Sequence, residues 1–221
     1  MQGIVFDFDG IIVDTELPIY NIWASLYESY GFQLAKEKWR QAIGTRNNFD
    51  PIRDLNSLLA QSGSTVTVGG QQYDEIQTRI KHYVNGPVQP VDGVVDWLEQ
   101  ANQLGLRVGI ASSSPVDWLN NYISRLGLEH HFEAVVGVSD ELRPKPYSDV
   151  YKAACDILEI EPKNSMAVED SRFGLLAAKA IDMKVVVMPS VLTAGDDFAL
   201  ADLMISDFCQ TTLDEVIKCI V

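Results

Sequence analysis

Short apolar runs that barely alternate, each followed by apolar residues at helical spacing, recur along this 221-residue chain and constrain its fold more than any other feature. The first run, residues 3–8, is interrupted only by Asp7 and is cut off by Asp9-Gly10, so it reads as a buried strand ending at a turn. Further runs occupy residues 106–112, 134–138, 165–169, 184–188 and, more weakly, 203–205. A strand with one wet face alternates polar and apolar residues; parallel strands covered on both faces do not. Between the runs lie helical stripes such as Val94, Val95, Leu98, Ala101 and Leu104, then Trp118, Leu119, Tyr122, Ile123 and Leu126, with Gly105 and Gly127 placed as helix stops. Further stripes follow at Val150, Ala154, Ile157 and Leu158, at Phe173, Leu176, Ala177 and Ala180, and at Leu213, Val216, Ile217 and Ile220. Strand then helix, repeated, predicts an α/β fold with a doubly wound, mostly parallel sheet, a Rossmann-like core.

One region breaks the alternation. Between residues 16 and 84 the pattern is helical: Ile19, Ile22, Trp23, Leu26, Tyr27 and Tyr30 form one stripe, and Asp50-Pro51 reads as an N-cap with proline at N1 ahead of Ile52, Leu55, Leu58 and Leu59. Tyr73, Ile76, Ile80, Tyr83 and Val84 make another face. The polar stretch 61–72 reads as a loop, with residues 65–68 as an alternative short strand. Asn85-Gly86-Pro87 and Pro90 mark the return. The expected division is an α/β core of residues 1–14 and 86–221 with a helical module, residues 15–85, inserted after the first strand.

Composition sets outer bounds. Apolar residues make up 47% and charged ones 22%, an ordinary globular balance. With 17 basic and 31 acidic residues the net charge is −14, so neither nucleic acid nor an anionic membrane surface is an expected partner. Three cysteines, Cys155, Cys209 and Cys219, make no closed disulfide framework and read as free thiols. Neither a signal peptide nor an apolar run long enough for a membrane span is visible, so a cytoplasmic protein is expected. An anionic substrate would need some local reversal of the acidic field.

The polar residues at the strand ends carry the chemistry. Asp7 and Asp9 end the first strand, where ligands bind in open α/β sheets. Burying two carboxylates there is costly unless a hard divalent cation compensates, and Mg²⁺ favours such oxygens together with substrate phosphates; a solvated acidic turn is the alternative. The spacing does not fit an EF-hand. Ser112, Ser113 and Ser114 end the second run, with Ser114 a candidate N-cap and Pro115 a candidate N1, an arrangement suited to an anion or to capping alone. Lys145 lies between Pro144 and Pro146, either on a surface turn or held to meet a phosphoryl oxygen. Glu169-Asp170-Ser171 follows another run and reads as a helix cap or as more metal-binding acid. Taken together, the groups would converge on one edge of a parallel sheet: acids for Mg²⁺, and serine, lysine and metal for a phosphoryl group. The metal would supply the missing positive field.

At this point the chain resembles a known family. The D-F-D-G of Asp7–Gly10, Asp14-Thr15-Glu16, the A-S-S-S of Ala111–Ser114, Lys145-Pro146 and Glu169-Asp170-Ser171 match, in order and spacing, the haloacid dehalogenase superfamily, specifically its phosphatase and β-phosphoglucomutase-like branch. The resemblance covers nearly the whole chain and implies Asp7 as nucleophile and Asp9 as general acid/base. It further implies Mg²⁺ on the Asp7 carboxylate, the Asp9 main-chain carbonyl and Asp170 with Glu169 in support, and phosphoryl binding by Ser112, Ser113 with nearby backbone amides, and Lys145. It implies a Mg²⁺-dependent phosphatase for a small phosphorylated metabolite, sugar phosphates included. The alternative is a β-phosphoglucomutase-like isomerase. Against it, the mutases carry a histidine where this chain has Ile19, and an arginine one place later than Arg46. Dehalogenases lack the second aspartate that Asp9 supplies, and phospho-accepting receiver modules are shorter and lack the insert. Trp23, Arg46, Asn47, Lys81 and His82 are polar or aromatic cap residues open to a substrate-selecting role. Oligomeric state leaves no signal in the sequence, and a monomer is compatible with it.

Overall fold

The computed structural model describes residues 1–45 and 48–220. Strand β1 (Gly3–Phe6) is followed by four helices, α1 (Glu16–Ser29), α2 (Lys36–Trp39), α3 (Pro51–Gln61) and α4 (Gly70–Val84). Then come α5 (Val94–Gln103), β2 (Arg107–Pro115), α6 (Val116–Leu126), β3 (Ala134–Val138), α7 (Asp149–Leu158), β4 (Ser165–Glu169), α8 (Arg172–Lys179), β5 (Lys184–Val187), β6 (Leu203–Met204) and α9 (Leu213–Ile220). The strands form one sheet in the order β3-β2-β1-β4-β5-β6, and every pairing is parallel.

The lack of alternation in the strands has the expected cause. Ile4 and Phe6 of β1 join a core with α5, α6 and α9 residues such as Trp97, Leu119 and Val216. Val5, between them, points to the other face and joins Ala154, Leu158, Leu175 and Ala178 of α7 and α8. Helices therefore cover both faces, and all four residues of β1 are buried. β1 is the point where the strand order turns, with β2 on one side and β4 on the other. A crevice opens there at the carboxyl ends of the strands.

The four helices α1–α4 enclose a separate apolar cluster that includes Trp23, Tyr27, Trp39, Leu55 and Ile76. Asp50 caps α3 by accepting from the Arg53 N–H at 3.0 Å, with Pro51 at N1 as expected. Residues 65–68 are not a strand. The Asn56 side chain takes the partner's role, donating to Val68 O at 2.8 Å and accepting from Val68 N–H at 2.7 Å. Leu192, from the segment after β5, inserts into this cluster with 1% exposure. Arg40, just past α2, donates to the Leu192 carbonyl at 3.0 Å and lies 3.5 Å from Asp196.

The second run continues three residues beyond its expected end, so β2 reaches Pro115 and α6 starts at Val116. Ser114 is therefore not an N-cap, nor is Pro115 at N1: Pro115 holds the cap position in an extended conformation. The reason is competition, because Asp9 attracts the Ser114 hydroxyl. Cys155 is buried and Cys209 and Cys219 are exposed, all of them free. Among the described residues, no helix is long and apolar enough to cross a membrane.

Candidate active site

Asp7 follows β1 while its N–H still bonds the Val168 carbonyl of β4 at 2.8 Å, which fixes its place at the sheet edge. Lys145 reaches it from the loop beyond β3. Its backbone N–H donates to Ser113 Oγ at 3.1 Å. The side chain is fully buried, and Nζ lies 2.5 Å from Asp7 Oδ1, 2.6 Å from Glu169 Oε1 and 4.8 Å from the Tyr151 ring centre. Burial alone would push the Lys145 ammonium pKa down; Asp7 and Glu169 outweigh it and raise the pKa above its ordinary value. For Asp7 burial prevails over the pull of Lys145, and the carboxyl is pushed up to about 7.

Glu169 closes β4 with both oxygens engaged. Oε1 accepts from Lys145 and, at 2.7 Å, from Tyr151 OH; Oε2 accepts from the N–H groups of Asp170 and Ser171 and from Ser171 Oγ. Ser171 also caps α8, accepting from Gly174 N–H at 3.1 Å. Asp170 contrasts with this: its side chain is wholly buried and neither oxygen has a partner among the described residues. Burial, reinforced by Asp7 and Glu169, raises its carboxyl pKa well above the usual range. Gly10, at φ +95°, passes so near that a Cβ there would lie 2.5 Å from Asp170 Oδ2, so only glycine fits the turn. Carboxylate oxygens of Asp7, Glu169 and Asp170 lie within 4.8 Å of one another. A dry cluster of hard oxygens with two unpartnered acceptors fits a divalent cation such as Mg²⁺.

Asp9 stands apart from that cluster, held by neutral donors. Its Oδ1 accepts from Thr15 Oγ1 at 2.6 Å and Trp118 Nε1 at 3.1 Å; its Oδ2 accepts from Ser114 Oγ at 2.6 Å and Ser112 Oγ at 3.4 Å. Thr15 occupies the N-cap of α1 without capping it, its hydroxyl being turned to Asp9 instead. Ser112 also accepts the Ser114 N–H at 3.0 Å. The Ser113 hydroxyl donates to the Gly44 carbonyl at 3.0 Å, so any contact it makes with an anion passes through its main chain. Gly44, at φ +73°, lies so close to Ser171 that an added Cβ would collide with its hydroxyl.

A cavity of about 90 Å³ remains between Asp7, Asp9, Glu16, Thr45 and the three serines. It can hold a phosphoryl group but not a sugar as well. Glu16, in the first turn of α1, lines it; burial, with Asp9 and Asp7 beside it, pushes its carboxyl up to about 8. A larger open groove, about 770 Å³, runs along α4 by Asp74 and Arg79, remote from these residues.

The expected residues thus fall into two linked groups, Asp7, Lys145, Glu169 and Asp170 in one and Asp9 with Ser112 in the other. Among the cap candidates, Trp23 is 5% exposed in the helical cluster, and Lys81 and His82 are exposed on α4 and do not line the cavity. Arg46 and Asn47 lie outside the described residues. Sequence reasoning assigned no role to Thr15, Glu16, Trp118 or Tyr151, and read Ser114 as a helix cap rather than as a partner of Asp9. The Asp14-Thr15-Glu16 motif was a signal for the first two. Trp118 and Tyr151 sit on helical stripes indistinguishable from core.

The profile of the family described as haloacid dehalogenase-like hydrolase matches residues 4–188. A Bacillus subtilis (strain 168) protein named "Putative phosphatase YhcW" is 31% identical over 193 residues, 87% of this chain and 86% of its own length. Hexitol phosphatase B of Escherichia coli (strain K12) is 26% identical over 216 residues, 96% of this chain and 95% of its own. The crystal structure of a HAD family hydrolase from Deinococcus radiodurans R1, with bound phosphate and sodium, superposes with a TM-score of 0.76 at 24% identity, covering 95% of this chain and 93% of that one. The chain is an enzyme of the haloacid dehalogenase-like hydrolase family.

Proposed function

We propose that the protein is a Mg²⁺-dependent phosphatase that hydrolyses small hydroxylated phosphomonoesters, sugar or polyol phosphates, through an aspartyl phosphate on Asp7. One observation carries the reading: the buried Asp170 carboxylate has no partner among the described residues and stands beside Asp7, which Lys145 holds. Asp7, Asp170 and the Asp9 carbonyl would hold Mg²⁺, with Glu169 in support. The ion would offset charge on the phosphoryl oxygens.

Asp7 attacks phosphorus and the bond to the leaving oxygen breaks, while Asp9 gives that oxygen its proton. A water then attacks phosphorus, passes a proton to Asp9 and frees Asp7 and inorganic phosphate. Splitting one displacement into two lowers each barrier. Lys145 and Ser112 steady the phosphoryl oxygens.

The residues 15–85 act as a cap. The cavity is small, about 90 Å³, and movement of this helical module would admit a larger substrate to Asp7. Glu16 can accept a substrate hydroxyl, which favours a polyol leaving group over a carboxylate; the naming of a relative as a hexitol phosphatase supports the same class. The mutase reading finds no support in the module, where Ile19 packs among apolar side chains and supplies no imidazole.

Phosphate release from a panel of sugar, polyol and carboxylate phosphomonoesters, with Mg²⁺ and with EDTA, tests the proposal. Metal-dependent release favouring the polyols, and lost in Asp7→Asn, is expected. Formation of glucose 6-phosphate from β-glucose 1-phosphate without phosphate release would move the assignment to the mutase.

A further inference from the structure

Helix α6 carries Trp118, Tyr122 and Arg125 at i, i+4 and i+7, one stripe on its surface. Their contacts join the acid/base residue to the segment that returns from the helical module. Trp118 Nε1 donates to Asp9 Oδ1 at 3.1 Å, and its ring centre lies 5.1 Å from that of Tyr122. Tyr122 lies 5.9 Å from the ring of Phe8, the residue between Asp7 and Asp9. The Arg125 guanidinium carbon sits 5.4 Å from the Tyr122 ring centre. Beyond it, Arg125 donates through Nη1 to the Val84 carbonyl and through Nη2 to the Gly86 carbonyl. Val84 ends α4 and Gly86 begins the way back to the core; Tyr83 OH ties this segment to the outgoing one, donating to Asp14 O at 3.1 Å.

The two donors on Asp9 Oδ1 belong to different bodies. Thr15 stands at the start of the helical module, and Trp118 belongs to the core. If the module swings, the two donors separate and the carboxylate must follow one of them. Trp118 offers only a donor, on a ring fixed by few torsions and backed by Tyr122. Tyr122 is 2% exposed and its hydroxyl has no partner among the described residues, so the contacts of its ring place it.

We propose that Trp118 is a positioning residue for Asp9, and that the Trp118–Tyr122–Arg125 stripe ties the Asp9 carboxylate to the segment on which the module swings. This rests on the reading of Asp9 as general acid/base. Misplacing a general acid slows departure of a basic leaving group and spares an acidic one. The test is kcat/KM, which reports steps up to leaving-group departure, for phenyl phosphate and for p-nitrophenyl phosphate with Mg²⁺. In Trp118→Phe, which keeps a stacking ring, phenyl phosphate is expected to fall about 10-fold or more and p-nitrophenyl phosphate less than about 2-fold. Trp118→His, which keeps a ring N–H, is expected to recover part of the loss. Arg125→Gln is expected to show the same leaving-group selectivity at about 3-fold, and the double variant to be no worse than Trp118→Phe alone.

Equal losses on both substrates, or no loss on phenyl phosphate, would overturn the positioning role. Additive losses in the double variant would overturn the tie to the module. Asp9→Asn separates the readings: wild-type turnover of phenyl phosphate there removes the acid/base assignment itself, whereas an inactive Asp9→Asn beside an unaffected Trp118→Phe removes only the positioning role. If Trp118→Phe does not fold, Arg125→Gln, whose side chain is exposed, carries the selectivity test.

Discussion

Lys145 is the most heavily constrained charge in the molecule. Its ammonium is fully buried and pairs with two acids, so removing it leaves Asp7 and Glu169 facing each other without compensation. Lys145→Ala is expected to cost about 3–5 kcal/mol of stability, measured by urea unfolding, and to reduce kcat/KM at least about 100-fold; a variant as stable as the wild type would contradict the pairing. Asp7 and Asp170 give a second prediction. Their folded-state pKa values are raised, Asp7 from 3.8 to about 7, so the folded protein binds more protons than the unfolded chain across that window. Stability of the metal-free protein should therefore fall as pH rises from about 4 to about 7. Stabilisation by Mg²⁺ should grow over the same range, because the ion competes with those protons. Melting curves in EDTA and in Mg²⁺ check both, and a metal-induced shift that shrinks with rising pH would contradict the site. At this scale the sequence was informative wherever chemistry followed from position: Asp7, Asp9, Ser112 and Asp170 close or follow runs whose ends share one edge. It was uninformative for Tyr151, whose hydroxyl completes Glu169 only because α7 packs across the sheet.

Elements were legible to the extent that their cause was local. The runs 134–138 and 165–169 correspond to β3 and β4 without adjustment, because both are bounded by chain reversals written in nearby residues. β2 overran its expected end because a carboxylate distant in sequence, Asp9, draws Ser114 away from capping. The loop before α4 was legible as a loop, and its alternative, a short strand over the β-branched residues 65–68, is not formed because Asn56 satisfies the Val68 backbone with both ends of its amide. Asn56→Ala removes two hydrogen bonds from a partly buried backbone and is expected to cost about 1–3 kcal/mol. Circular-dichroism melting that shows no change would mean that water replaces the amide without loss.

At the scale of the whole molecule, a parallel sheet and a separate apolar cluster among α1–α4 stand side by side, and the change of hydrophobic period marks where the helical stretch lies. What the sequence did not reveal is how the two parts meet. Leu192 leaves the sheet domain to become part of the module's core, Arg40 returns the contact through the Leu192 carbonyl, and Ser113 holds Gly44 over the site. These contacts join residues as much as 152 positions apart, and nothing in local periodicity encodes them. Leu192→Ala is expected to lower stability by about 2–4 kcal/mol through the cavity it leaves; an unchanged unfolding midpoint would show that the module does not depend on this plug.

The most direct test of the central claim is to catch the phosphoryl group on the protein. The enzyme is mixed with a turned-over phosphomonoester and Mg²⁺, quenched in acid within a turnover, and its peptides are mapped by mass spectrometry. The account predicts one added phosphoryl group on the peptide bearing Asp7, absent with EDTA and absent in Asp7→Asn. Steady turnover with the label on another residue, or with no labelled peptide at any quench time, would contradict it.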